Sequence, residues 1–312
     1  MDLGPQYTKD DGFTARMRFH QSWYRASVLA VPCGPGPQAH HKSTYGNMLN
    51  KEDGDRGLNF LSPEIAALAM ARQKEFPRGI QRHRLLCNML SSQPMCFNLF
   101  APMAMDEQIG CALVSAMLDG VPVSRIRRVV FEHAPTPRND YLGDATAFDA
   151  FVEFESSDGS VSFVAIETKL TESFSQKAYS IDARPLYRRW VDHSEAPWKS
   201  DRRQHLGARE YNQLWRDHAL AFALHMNHRD RISNGSLALV RHSMDEKCQH
   251  AVDAYTSCLT PGDSGFLDRT LADLARRWRP VVDGTSWRGW LEEFETRYVN
   301  LAASQALWDA KS

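Results

Sequence analysis

Hydrophobic and polar positions between residues 146 and 169 follow the two-residue period of β-strands. The segments TAFDAFVEF and VSFVAIE carry this pattern, and both are rich in the aromatic and β-branched residues that favour strands. Between them, Ser157-Asp158-Gly159 suits a three-residue hairpin loop in which Gly159 adopts the left-handed conformation. The pattern therefore predicts a β-hairpin.

The loop length determines which side chains of the hairpin lie together. Counting outward from a three-residue loop sets Asp149 directly opposite Glu167, and opposed residues lie on one face with Cβ atoms about 5 Å apart. Lys169, two residues after Glu167, lies on the same face. A two-residue loop would instead set Asp149 against Thr168, on the other face. The turn therefore predicts a cluster of Asp149, Glu167 and Lys169.

Two carboxylates and an amine at this spacing indicate a metal site with hydrolytic chemistry. Two close carboxylates repel each other unless a cation or a proton lies between them. Mg²⁺ takes oxygen ligands and usually keeps one or two protein carboxylates together with water and phosphate oxygens. A neighbouring lysine can position or deprotonate the water and stabilise developing negative charge. This set is typical of a phosphodiester hydrolase; the alternative is an exposed hairpin face with alternating charges.

Segments on the amino-terminal side of the hairpin show weaker patterns. Residues 1–60 are rich in Gly, Pro, His and charge, which predicts mostly irregular structure over a core formed by later residues. A helix is predicted for residues 62–76, with Ser62 as its cap. A longer helix is predicted for residues 94–118, kinked or split at Pro102.

The carboxy-terminal half predicts a further strand and several helices. A short apolar strand is predicted at residues 236–240. Helices are predicted at residues 245–258, at residues 266–278 with Asp263 or Ser264 as the cap, and at residues 287–298.

Composition narrows the classes of protein that this chain can represent. The 312 residues are 43% hydrophobic, which is ample for a large core, and the formal net charge of −1 gives no global basic field. Six cysteines without a C-x-x-C pair favour free thiols in a reducing compartment, so we expect a cytoplasmic protein. No apolar run is long enough to cross a bilayer. The pair His40-His41 indicates a solvated loop rather than a metal site.

A basic and aromatic segment follows the predicted hairpin. Residues 183–216 contain eight basic residues interleaved with Tyr187, Trp190, Trp198, Tyr211 and Trp215. Guanidinium groups bind phosphates, and aromatic faces stack on unpaired bases, so this segment is a candidate nucleic-acid surface. The alternative is a surface connection with ordinary pairs of arginine and acid.

Several short motifs together resemble a known family. Phe148-Asp149, followed by Ile166-Glu167-Thr168-Lys169, resembles the catalytic core of the PD-(D/E)XK nuclease superfamily, with Phe148 in place of the usual proline. The phrases SSQPMCFNLF at Ser91–Phe100, FEHAP at Phe131–Pro135 and YGNML at Tyr45–Leu49 resemble an uncharacterised bacterial branch of that superfamily. The resemblance covers most of the chain.

The resemblance implies a fold and a reaction. The expected fold is α/β, a restriction-endonuclease-like mixed sheet flanked by helices with core order α-β-β-β-α-β. A single domain is expected, with an amino-terminal elaboration at 1–90, a core at 91–242 and carboxy-terminal helices at 243–312. Asp149 and Glu167 would hold Mg²⁺ or Mn²⁺, the Thr168 carbonyl would complete the set, and Lys169 would assist the water.

Further candidates lie outside the hairpin. In the superfamily a polar residue of the helix after the hairpin, often glutamine, points at the site, and Gln213 fits that description. Spacing of three to four residues would place Arg209 and Arg216 on the same helical face as phosphate contacts. Glu132 and Glu107 are candidates for an additional acid. A structural hydrogen-bonding role explains Glu132 equally well, and a solvated helix charge explains Glu107 better.

One rival assignment and two rival functions remain open. Asp144 competes with Asp149 for the first acidic position, and the hairpin count favours Asp149. The main hypothesis is a metal-dependent nuclease acting on DNA or RNA. The alternatives are a non-catalytic nucleic-acid-binding or interaction protein on the same fold, and a hydrolase of smaller phosphate esters.

Overall fold

The computed structural model describes residues 1–36, 42–175, 177–262 and 264–310, so the predicted loop pair His40-His41 and the predicted cap Asp263 lie outside the described residues. The strands are β1 (Cys33–Pro35), β2 (Thr44–Leu49), β3 (Val123–His133), β4 (Phe148–Ser156), β5 (Val161–Lys169), β6 (Asn234–Arg241) and β7 (Phe266–Thr270). The helices are α1 (Gly12–Tyr24), α2 (Lys51–Asp55), α3 (Pro63–Glu75), α4 (Arg82–Cys87), α5 (Ser92–Met105), α6 (Glu107–Met117), α7 (Pro185–Val191), α8 (Asn212–Asn227), α9 (Glu246–Thr256), α10 (Leu271–Val282), α11 (Arg288–Tyr298) and α12 (Gln305–Asp309).

The chain forms two compact units, of which the first comprises Met1–Met105, Leu170–Glu172 and Leu271–Ser312. Within residues 1–60 it contains helices α1 and α2 and the two-stranded sheet β1–β2, so the prediction of mostly irregular structure there was wrong. Buried polar residues interrupt the hydrophobic pattern that would otherwise indicate these elements. Arg25, for example, is 2% exposed, and its Nε donates to the carbonyl oxygen of Gly46 at 2.6 Å. Helix α3 confirms its prediction, because Ser62 caps it by accepting from the Ile65 amide.

The second unit comprises Asp106–Lys169 and Ser173–Thr270 and is built on a five-stranded mixed sheet. The strand order is β3-β4-β5-β6-β7, with antiparallel pairing from β3 to β5 and parallel pairing from β5 to β7. Helix α6, the three antiparallel strands, helix α8 and strand β6 follow one another along the chain, which confirms the expected core order. The prediction of a single domain with its core at 91–242 stays a prediction.

The β4–β5 hairpin has the predicted register. Phe151 lies opposite Ala165, and the last pair at the open end joins Ala150 to Ile166. The loop contains Gly159 with φ of +83°, the left-handed conformation that a three-residue loop requires. The three-residue loop, which Gly159 permits without backbone strain, fixes which side chains of the two strands face each other.

One face of the sheet packs against α8 and forms a core within the second unit. Phe151, Phe163, Ala165, Leu237 and Leu239 supply the sheet side of this core. Leu214, Trp215, Ala219, Leu220 and Ala223 supply the helix side. Because side chains alternate along a strand, Glu167 and Lys169 continue the row of Phe163 and Ala165 toward α8.

Two predictions about helices need correction. The helix predicted for residues 94–118 is split, but at Asp106, whose side chain caps α6 by accepting from the Ile109 amide, while Pro102 lies within α5. Residues 266–270 form strand β7 instead of a helix, so Ser264 caps no helix there. Parallel pairing with β6 outweighs the local helical pattern of this segment.

The state of the cysteines and the hydropathy of the helices agree with what the sequence predicts. All six cysteines carry free thiols, and four of them are buried. Within the described ranges, no helix combines the length and the hydropathy needed to cross a bilayer.

Candidate active site

Glu167 and Lys169 lie at the end of β5, buried under helix α8. Their relative exposures are 4% and 7%, which is unusual for charged side chains. Lys169 Nζ lies 2.9 Å from Glu167 Oε1, so each charge compensates the other. The ammonium also lies 5.1 Å from the centre of the Phe174 ring. The sequence prediction that these two residues share one face is confirmed.

Gln213, in the first turn of α8, joins this ion pair. Its Nε2 donates to Glu167 Oε1 at 2.7 Å, and its Oε1 accepts from Lys169 Nζ at 3.3 Å. The same Oε1 accepts from the backbone amide of Ser175 at 2.9 Å. The amide of Gln213 is therefore oriented by three partners, and it in turn restricts the rotamers of Glu167 and Lys169.

Asp149 lies at the start of β4, one register step beyond the pair Ala150–Ile166 and therefore opposite Glu167. The side chain is half-buried. Its Oδ2 accepts from the backbone amide of Thr168 at 2.8 Å and from the Thr168 hydroxyl at 2.7 Å. These two bonds tie the carboxylate to the same strand that carries Glu167. The predicted role of the Thr168 carbonyl as a ligand stays a prediction.

The two candidates for an additional acid lie in different places. Glu132 is half-buried on β3 at the register position opposite Asp149, between the pairs Phe131–Ala150 and His133–Phe148. Its backbone φ of +49° is rare for glutamate and changes the side-chain direction at this point of the strand. Glu107 is exposed at the start of α6, 3.8 Å from the exposed Arg125.

Arg125 lies opposite Glu155, six residues along β4 from Asp149. Six residues of a strand span about 20 Å, so the structure does not bring Glu107 to the cluster.

Arg216 and Asp144 form a second polar group beside the cluster. Arg216 Nη1 donates to the Thr146 hydroxyl at 2.8 Å and lies 3.6 Å from Asp144 Oδ2. Tyr187 also donates to Asp144. Burial alone would raise the pKa of Asp144, but the hydrogen bonds from Tyr187 and Thr146 and the charge of Arg216 outweigh it and lower that pKa. The contacts with Tyr187, Thr146 and Arg216 therefore give Asp144 a structural role.

Arg209 does not share a helical face with Gln213. Helix α8 begins at Asn212, and Arg209 lies in the exposed turn before it. The spacing argument failed because it extended the helix by one turn too many. The phosphate-binding roles predicted for Arg209 and Arg216 stay predictions.

The aromatic residues of the basic segment are core residues. Tyr187, Trp190, Trp198, Tyr211 and Trp215 are all at most 6% exposed. They belong to the apolar core between α8 and the sheet. Stacking of bases on these rings is therefore excluded in this structure, and only the exposed arginines of the segment remain available to a polyanion.

Asp217 is a buried acid that the sequence interpretation missed. It is 2% exposed and follows Gln213 by one helical turn. Burial and the neighbouring carboxylates of Glu167 and Asp149 raise its pKa well above the usual value, and the charges of Arg216 and Lys169 only partly oppose this. The spacing of four residues from Gln213 was the available signal.

The donor groups of the cluster suit a hard divalent cation. Asp149 and Glu167 offer carboxylate oxygens on adjacent strands, and Mg²⁺ commonly takes one or two such ligands with water completing its shell. In the part of the chain that the structure describes, no group of three or more His, Cys, Asp or Glu side chains is arranged to hold a metal ion. A two-carboxylate site with water is the arrangement that fits.

Comparison with known proteins bears on the same residues. A family model described as the PD-(D/E)XK nuclease superfamily matches residues 8–300, nearly the whole chain. Neither a curated protein nor a solved structure matches the chain.

Proposed function

The chain belongs to the PD-(D/E)XK nuclease superfamily, and on that premise we propose that it is a metal-dependent nuclease that hydrolyses phosphodiester bonds of DNA or RNA. The observation that carries the proposal is the convergence of Glu167, Lys169 and Gln213 in one buried hydrogen-bonded group. Asp149, on the neighbouring strand, is bonded to Thr168, the residue between Glu167 and Lys169. A buried lysine and carboxylate pair beside a second carboxylate has the chemistry for phosphoryl transfer.

Asp149 and Glu167 would hold Mg²⁺ or Mn²⁺, with the Thr168 carbonyl as a further oxygen ligand. When bound there, the cation supplies positive charge that activates a water and stabilises the charge developing on the phosphate. The Thr168 amide and hydroxyl keep the Asp149 carboxylate in place through bonds of 2.8 and 2.7 Å. Orientation of the carboxylates before the cation arrives reduces the entropy lost on binding.

Lys169 would place a positive charge next to the scissile phosphate and orient the attacking water. Its burial excludes bulk water, which strengthens its electrostatic effect on a nearby phosphate. Glu167 and Gln213 accept from its ammonium and keep the side chain in one position. Gln213 therefore acts as a positioning residue for both members of the pair.

The expected partner is a nucleic acid, bound through its phosphates rather than through stacked bases. Arg216, held between Thr146 and Asp144, and the exposed Arg209 are the proposed phosphate contacts. Guanidinium groups pair with phosphate oxygens and have little dependence on base identity. The buried aromatic rings of the basic segment support backbone contacts as the main source of affinity.

The test is cleavage by the purified full-length chain of labelled single- and double-stranded DNA and RNA with Mg²⁺, with Mn²⁺, or with a chelator. We expect cleavage only with a divalent cation. Lys169→Ala should reduce the rate at least a hundredfold, since it removes the positive charge that is proposed to act on the phosphate and the water and that lies 2.9 Å from Glu167. Lys247→Ala, at an exposed position of α9, is the matched control and should retain the wild-type rate.

Each alternative function has its own outcome. Nucleic-acid binding that persists in chelator and never leads to cleavage would favour a non-catalytic binding protein. Turnover of small phosphate esters without polymer binding would favour a different substrate. Equal cleavage by wild type and Lys169→Ala would refute the proposed role of the lysine.

A further inference from the structure

Asp217 is the only acidic residue in helix α8, and it lies one turn after Gln213. Residues four apart on a helix project from the same face. Gln213 uses this face to reach Glu167 at 2.7 Å. Asp217 therefore points toward the same part of the sheet as the glutamine.

One carboxyl oxygen of Asp217 is buried without a hydrogen-bond partner in the described residues. The residue is 2% exposed, and the unpaired oxygen is Oδ2. Leaving a buried polar atom unpaired costs about 1–3 kcal/mol, and more when the group is charged. Asp144 shows the contrasting structural case, because Tyr187 and the Thr146 amide both donate to it. A carboxyl oxygen buried without such a donor calls for a functional explanation.

The charges around Asp217 leave an excess of negative charge. Its electrostatic neighbours are Glu167, Asp149, Lys169 and Arg216. Both cations are paired with other carboxylates, Lys169 with Glu167 and Arg216 with Asp144. Among the described contacts, the carboxyl groups of Asp217, Glu167, Asp149 and Asp144 thus lie near the two cations Lys169 and Arg216. When all are ionised, the excess equals the charge of one divalent cation.

We propose that Asp217 is a further acidic residue of the cation site, placed behind Glu167, and that its carboxylate raises the affinity of the site for Mg²⁺ or Mn²⁺. This inference rests on the proposed function, because the cation is the one that Asp149 and Glu167 hold. Asp217 acts as a positioning residue through its charge. Away from water, the negative charge of a carboxylate attracts a cation more strongly than it would at the protein surface. For the same reason, a bound dication favours the ionised form of Asp217 over the protonated form.

The test is calorimetric titration of Mn²⁺ into the metal-free full-length protein and into Asp217→Asn. The amide keeps the shape of the side chain and removes its charge. We expect the affinity for Mn²⁺ to fall at least about tenfold, the effect typical of groups that support metal ligands. Without metal, the urea midpoint of Asp217→Asn should equal or exceed that of wild type, because the carboxyl group is buried beside other carboxylates. Should Asp217→Asn fold poorly, Asp217→Ser provides the same loss of charge with room for a water.

Two control variants separate this inference from the proposed function. Asp253→Asn removes an exposed carboxylate of α9 that interacts with Gln249, and it should bind Mn²⁺ within twofold of wild type. Glu167→Gln should abolish binding. If Glu167→Gln loses Mn²⁺ while Asp217→Asn binds as tightly as wild type, the inference is overturned and the proposed site stands. If wild type binds no Mn²⁺ at all, both are overturned.

Discussion

Replacing Gln213 by leucine tests whether this amide holds the candidate site together. Leucine has a similar volume and retains the packing on α8, but it removes every hydrogen bond of the side chain. Glu167 then loses a donor at 2.7 Å, Lys169 loses an acceptor at 3.3 Å, and the Ser175 amide loses its acceptor at 2.9 Å.

The magnitude follows from the kinds of bond that are lost. Hydrogen bonds to charged groups contribute about 1.5–3 kcal/mol each, and neutral ones about 1 kcal/mol. The full sum is not expected, because Glu167 and Lys169 still lie 2.9 Å apart and continue to stabilise each other. We therefore expect Gln213→Leu to lower the free energy of unfolding by about 3–5 kcal/mol.

The measurement is hydrogen exchange at the amides of β5, supported by urea unfolding. The chain forms two compact units, so a single global transition is not assured, and exchange gives the free energy of opening for the sheet itself. Gln204→Leu, at an exposed position of the same unit, is the matched control and should change stability by less than about 0.5 kcal/mol. A loss below about 1 kcal/mol for Gln213→Leu would refute the view that this amide organises the ion pair.

Two further predictions concern stability. Burial lowers the pKa of His20 and of His218 to about 4, so the unfolded chain binds more protons than the folded one between about pH 4 and 6.5. Each histidine should thus stabilise the fold by about 2 kcal/mol less at pH 5 than at pH 7; histidine proton resonances that titrate normally near pH 6.5 for both residues would contradict this. Gly159→Ala should destabilise the hairpin by about 1 kcal/mol, purely through backbone strain, because a Cβ there meets nothing within 4 Å. An unchanged urea midpoint for this variant would show that the left-handed loop is not required.

The register of the hairpin was predictable because it depends on neighbouring residues. The three-residue loop and the left-handed Gly159 are local features, and the alternation of FDAFVEF and VSFVAIE assigns faces without knowledge of the rest of the chain. The core order that the family resemblance implied was also confirmed. The alternation along β5 places Glu167 and Lys169 on one face of the sheet.

Long-range contacts were beyond the reach of local patterns. The aromatic residues between 187 and 215 alternate with arginines as in a nucleic-acid surface, but they fill the core between α8 and the sheet. Strand β7 pairs in parallel with β6, although its own sequence favours a helix. In both cases, packing against a distant segment outweighs local propensity.

The sequence by itself determined the β4–β5 hairpin and the face on which Glu167 and Lys169 lie, because strand period and turn chemistry act over a few residues. The family resemblance pointed to Gln213, but only the tertiary structure decided how the groups from other elements meet them. Helix α8 brings Gln213 to Glu167 and Lys169, ties Arg216 to Asp144, and buries Asp217 beside them. These contacts join residues more than 40 positions apart, and their energies depend on burial and distance, which the order of residues does not contain.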